Sequence, residues 1–165
     1  KNGGQELSEE KFSPEFMGGV QLQSALMGLT LAFQKKYGDE VVKITQAFAE
    51  QMGTRIGNNF KEKAGITGSG VREVERVFHI WLDPAVAPHK LKTSVEGKKL
   101  TVTREIPVRC PAIVVARQMK LPLETVCNTV ALPMFKGVAK AVNPNAKTSN
   151  IEMSEHKCID VIEIP

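Results

Sequence analysis

The hydrophobic patterning of the chain predicts an α+β domain, a small antiparallel sheet flanked by helices. Apolar residues recur at helical spacing through the first half of the 165 residues. Around Glu96 and Gly97 apolar and polar residues alternate instead, as in a β-hairpin. After a second group of helices, the closing stretch IEMSEHKCIDVIEIP reads as one or two further strands.

Taken in order, residues 1–19 are polar and glycine-containing and predict an N-terminal arm, with residues 20–165 forming a single ligand-binding domain. From Val20 to Tyr37 the chain is apolar on nearly every side, which predicts a fully buried helix closed by Gly38. Asp39 is placed to cap the next helix, over residues 39–63. There Val41, Ile44, Phe48, Met52, Ile56 and Phe60 recur at a spacing near four and are expected to face the core. VREVERVFHIWLDP predicts a shorter helix closed by Asp83 and Pro84. In the hairpin that follows, Pro107 predicts that the second strand lies at a sheet edge, because proline cannot donate to a ladder. CPAIVVARQM and PLETVCNTVALPMFKGVAKAV predict two helices broken at Leu121 and Pro122, and NPNAKTSN a turn-rich connection.

Composition narrows the functional classes. The apolar share of 42% and charged share of 24% are ordinary for a globular domain. No uninterrupted apolar run approaches the roughly 18–20 residues that span a bilayer, so no membrane partner is expected. The net charge of +4 is spread along the chain and is not interleaved with aromatic residues, so no nucleic-acid partner is expected either. An odd count of three cysteines argues against a disulfide framework and for a reducing, cytoplasmic setting.

Those cysteines supply the candidate site. In VRCPAIVVA, Pro111 suits the first position of a helix, which makes Cys110 the N-cap. Unpaired N–H groups and the dipole there favour a thiolate, the form that attacks or binds metal. Cys127, in ETVCNTV, sits among apolar neighbours and reads first as a core residue; the adjacent Asn128 is a polar group able to meet a ligand. In SEHKCID, strand alternation would project His156 and Cys158 to one face, as two metal ligands or as a thiol with a base beside it. Cys110, Cys127 and Cys158 are too widely spaced to form a zinc-ribbon pattern. His79 and His89 read as ordinary structural or surface histidines, and no Walker loop, dinucleotide fingerprint, HExxH or GxSxG is present.

The succession of FQKKYGDEVVKITQAFAEQMG, an alternating strand, the RCP corner, PLETVCNTV and HKCIDVIEI resembles the L-2-amino-thiazoline-4-carboxylic acid hydrolase-like family. It is also similar to 4-vinyl reductase-type small-molecule-binding domains. The resemblance implies a pocket between helices and sheet with Cys110, Cys127 and Cys158 gathered around it, and zinc or another thiophilic metal as a cofactor those cysteines could hold. As an enzyme it would be a hydrolase of C–N bonds in a small cyclic substrate, with Cys110 as nucleophile and His156 as acid–base. As a binding module, Cys127, Asn128 and Cys158 would contact a small-molecule ligand, in a homo-oligomer or an accessory subunit of a larger enzyme. Asn128 stands where a hydrolase is expected to carry an acid, and few acids or bases lie near the cysteines, so binding is the preferred reading.

Overall fold

The computed structural model describes residues 12–86, 91–105 and 110–165. Helix α1 spans Pro14–Tyr37, because Ser13 is extended and its Oγ accepts from the Phe16 N–H while Pro14 occupies a position whose N–H would be unpaired anyway. The helix thus begins within the stretch expected to be an arm, and Phe16 is part of the core. Gly38, at φ 73, ends it. Asp39 is the N-cap of α2, which spans Glu40–Lys63, but its side chain makes no capping hydrogen bond; its Oδ1 instead accepts from Gln34 Nε2 at 2.9 Å, tying the two helices at their junction.

The inward faces of both helices differ from those read in the sequence. α1 buries Val20, Gln23, Met27 and Thr30, one stripe at spacings of three and four, and leaves Leu29, Phe33 and Tyr37 exposed. It is not buried all round, because neighbours cover only one side. By length and composition α1 is also apolar enough to cross a membrane, although the sequence holds no long uninterrupted apolar run. α2 turns Thr45, Ala49, Gly53 and Gly57 inward and leaves Ile44 and Phe48 exposed. Small residues win that face because α6 approaches too closely for larger ones. A Cβ at Gly53 would stand 2.0 Å from the Met134 carbonyl oxygen, and one at Gly137 2.0 Å from that of Glu50. Glu50 closes this seam with ion pairs to Lys136 at 2.8 Å and Lys140 at 2.7 Å.

α3 spans Val71–Val86 and continues past Pro84, where it was expected to stop; the Pro84 carbonyl accepts from Ser13 Oγ at 3.0 Å. His79 serves structure, as the sequence suggested: Nδ1 lies 2.9 Å from Asp83 Oδ2 and Nε2 3.1 Å from Thr93 Oγ1, linking α3 to the sheet. His89 falls outside the described residues.

The sheet has strands β1 (Lys92–Glu96), β2 (Lys99–Glu105), β3 (Lys147–Met153) and β4 (Lys157–Glu163), all antiparallel and in the order β1-β2-β4-β3. Pairing of Glu96 with Lys99 closes the first hairpin over Gly97 and Lys98, and Gly97 at φ 58 suits the first position of a II′-type turn. β2 is a central strand, not an edge, because β4 returns from the far end of the chain to pair with it; Pro107 lies outside the described residues. β3 starts inside the stretch read as a connection. The turn itself is confined to Asn143–Asn145, where Asn143 Oδ1 accepts from the Asn145 N–H.

α4 spans Pro111–Met119 and ends at Lys120 with φ 54, just before the expected break at Leu121 and Pro122. α5 (Leu123–Val126), a π-helical turn (Cys127–Ala131) and α6 (Leu132–Val142) then run on without interruption. Pro133 explains the wide turn. Its ring would clash with the Thr129 carbonyl of a regular helix, and the π turn, in which the Leu132 N–H reaches back to the Cys127 carbonyl, relieves that crowding. The core forms two clusters. One joins the sheet to α3 and α6 through Leu100, Val102, Ile162, Phe78 and Phe135. The other joins α1 to α4 and the π turn through Val20, Met27, Val115, Val126 and Val130.

Candidate functional site

Strand alternation turns an ion pair into the interior. Arg104 shares a face of β2 with the fully buried Leu100 and Val102, and lies opposite Cys158 on β4; Asp160, two residues on, points the same way. Arg104 Nη2 donates to Asp160 Oδ2 and, at 3.0 Å, to Cys158 Sγ. Asn150 Nδ2 on β3 donates to Asp160 Oδ1 at 2.8 Å, and the Cys158 thiol points at Asp160 Oδ2 from 3.7 Å. The guanidinium carbon also stands 5.7 Å from the Phe135 ring centroid. The Asp160 side chain is only 1% exposed and that of Arg104 14%, so each charge depends on the other.

These surroundings fix protonation. Burial opposes the Arg104 charge, but Asp160 and the nearby thiols outweigh it and hold the guanidinium protonated beyond its ordinary range. Burial pushes the Cys158 thiol up to about 11, with Arg104 pulling it down and Asp160 and Cys110 pushing it further up. Cys127 is pushed up more strongly, first by burial and then by the charges of Cys110 and Cys158. Cys127 and Cys158 are therefore thiols, not thiolates, near neutral pH.

Beside the ion pair, at the seam between the two core clusters, lies a cavity of about 210 Å³. Leu22 of α1, Ile56 of α2, Trp81 of α3, and Met134 and Phe135 of α6 give it apolar walls. Gln23, Arg104 and Cys110 add polar groups, and the exposed Glu15 belongs to the same lining. Among the described residues, two buried side-chain atoms of these lining residues, Gln23 Oε1 and Arg104 Nε, have no hydrogen-bond partner, and each has almost no accessible surface. Gln23 is 8% exposed. An orphaned buried polar atom costs roughly 1–3 kcal/mol.

Cys110 is the N-cap of α4 as expected, on the cavity wall, though its side chain makes no capping hydrogen bond. Cys127 is buried in the π turn, near enough to Cys110 and Cys158 for a charge on either to push its thiol pKa further up. Asn128 lies apart from them: it is exposed on the outer side of the π turn, where its carbonyl accepts from Gln46 Nε2 at 3.0 Å. His156 is not on a strand. β4 begins at Lys157, so the alternation that would pair His156 with Cys158 does not reach it, and it sits exposed in the bend after β3.

Among the described residues no three His, Cys, Asp or Glu side chains are grouped closely enough to hold a metal ion. The positive charge that Cys158 and Asp160 face in this arrangement is that of Arg104.

Arg104, Asp160, Asn150 and Gln23 were not read as site residues from the sequence. The signal was present in phase alone: Arg104 falls on the Leu100–Val102 face, Asp160 on the Cys158–Ile162 face, and Gln23 between Val20 and Met27.

Fold and site together define an α+β domain with a small, mostly apolar cavity closed by a buried arginine–aspartate pair. No family model, no curated protein and no solved structure matches this chain.

Proposed function

We propose that this chain is a small-molecule-binding domain whose ligand occupies the cavity between α1, α3, α4, α6 and the Arg104 end of β2. The observation that carries the reading is the cavity itself, about 210 Å³ walled by Leu22, Ile56, Trp81, Met134 and Phe135, with Gln23, Arg104 and Cys110 among its lining residues. Apolar enclosure with a few convergent polar groups is the usual make-up of a ligand site. The resemblance to vinyl-reductase-type binding domains agrees with it. Hydrolysis is the weaker reading. Cys110 stands on the wall, but among the described residues the ionisable groups that line the cavity with it are Arg104, a donor, and the exposed Glu15. A thiol nucleophile needs a base within hydrogen-bond reach.

Trp81, the one tryptophan of the chain, lines the cavity and reports its occupancy. Titration with toluene and with benzamide should give a saturable change in Trp81 emission and a rise in Tm. No saturable change with either would overturn the reading.

A further inference from the structure

Leu29, Phe33 and Tyr37 of α1 and Ile44 and Phe48 of α2 are large apolar side chains left 48–62% exposed. They are not scattered. Thr30 and Thr45, whose hydroxyl oxygens stand 2.7 Å apart, mark the line where the two helices touch. Leu29 and Phe33 stand one residue before and three after Thr30; Ile44 and Phe48 stand one before and three after Thr45. At about 100° per residue, each pair lies roughly 60–100° round its helix from that line, in the same sense. Only Gly38 and Asp39 separate α1 from α2, so the helices run antiparallel, and the half-turn that exchanges antiparallel neighbours keeps both pairs on one side of the hairpin. The four residues therefore form one face, with Tyr37 a turn beyond Phe33, while the buried Met27 and Gly53 take the opposite side.

At these fractions each side chain presents on the order of 100 Å², so the patch measures roughly 500–600 Å². That is the upper end of what a monomer usually carries, about 300–600 Å². It is also close to the apolar part of a standard homodimer interface, about 65% of roughly 800 Å² per partner. We propose that this face is the contact between two copies of the chain, the α1–α2 hairpin of one packing on that of the other across a two-fold axis. Such a contact needs a surface complementary to itself. Phe33 follows Leu29 along α1 and Phe48 follows Ile44 along α2, in the opposite direction. With a rise of about 1.5 Å per residue, the order along the hairpin is Phe48, Leu29, Ile44, Phe33, at intervals of roughly 3 Å. A copy related by a two-fold axis running along the hairpin lays its Phe33 against Ile44 and its Leu29 against Phe48, aromatic on aliphatic throughout. Each α1 then lies antiparallel to the other copy's α2, as neighbours do in a four-helix bundle.

An interface of this size holds at micromolar concentration or tighter, so the full chain at about 50 μM should sediment with twice the mass of one chain. Phe33→Glu replaces a residue that already meets solvent, and should leave the far-UV circular dichroism unchanged while weakening the dimer about a hundredfold or more, since in a two-fold contact each substitution counts twice. If that variant does not fold, Ile44→Lys decides in its place. Ile151→Glu, at a comparably exposed apolar residue of β3, should leave the dimer as it is. A monomer at about 50 μM would overturn the proposal. So would a dimer that survives Phe33→Glu and Ile44→Lys, or one lost in Ile151→Glu, because the contact would then lie elsewhere. A monomer that floats with vesicles of phosphatidylcholine and phosphatidylglycerol, and ceases to in Phe33→Glu, would overturn it by assigning the face to a lipid surface.

Discussion

The two sides of α6 solve opposite packing problems. Toward α2 the chain has removed side chains at the closest approaches: Gly53 and Gly137 let backbone meet backbone, Gly57 makes room for Ala141 and Val138, and no buried side-chain nitrogen or oxygen on that seam is left without a partner among the described residues. Toward α1 and α4 the same helix, through Met134 and Phe135, borders an opening of about 210 Å³. Close packing is the default of protein interiors. A helix that packs tightly on one face leaves a cavity on the other, and that is the face to which the proposed ligand belongs.

The largest effect should come from breaking the ion pair at the cavity's edge. Asp160→Leu leaves Arg104 as an uncompensated buried charge and should cost about 3–5 kcal/mol in urea unfolding. Next comes the closed seam. Gly137→Ala puts a methyl 2.0 Å from the Glu50 carbonyl oxygen and 2.7 Å from the Thr54 nitrogen, both backbone atoms that cannot swing aside. It should cost about 3 kcal/mol by the same measurement. A loss below about 1 kcal/mol would show that the two helices have room to separate, and the contrast between the seams would blur.

On the open side the sign should reverse. Gln23→Leu removes a buried acceptor that has no partner and replaces it with an apolar group of similar size, so the ligand-free protein should gain about 1–2 kcal/mol. A loss of stability would mean that the Gln23 side chain does structural work despite its unpartnered oxygen.

The smallest effect lies at the rim of the closed seam. Burial tends to raise the Glu50 carboxyl, but hydrogen bonds and charge from Lys136 and Lys140 outweigh that and hold it below its ordinary value of 4.5. A carboxyl lowered by folding contributes stability that is present above its unfolded value and lost as pH falls through the folded one. The difference between wild type and Glu50→Gln should therefore be below about 1 kcal/mol at pH 7 and should shrink further below pH 4.5. A difference that grows on acidification would contradict the assigned cause.

How far the sequence could be read varied with the range of the interaction. The II′-type hairpin, the stop at Gly38, the helix start at Pro111 with Cys110 as its cap, and the break before Pro122 were all legible, because each depends on residues within a turn or two of one another. The face that α2 buries was not. Its apolar stripe through Ile44 and Phe48 is the stronger pattern, yet the close approach of α6 selects the Thr45, Ala49, Gly53 and Gly57 stripe. His156 failed as a partner for Cys158 by a single residue of strand boundary, and boundaries are where local propensity is weakest.

By itself, then, the sequence determined the α+β class, the antiparallel character of its sheet and the local stops and starts, since backbone sterics, proline and glycine act at short range. Only the tertiary structure decided that β2 is central, that Arg104 meets Asp160 across 56 residues of chain, and that Gln23 lines the same opening as Cys110. Those outcomes depend on which distant segments meet. An inward charge becomes tolerable only when a counter-charge arrives from another strand, and no local pattern records that arrival.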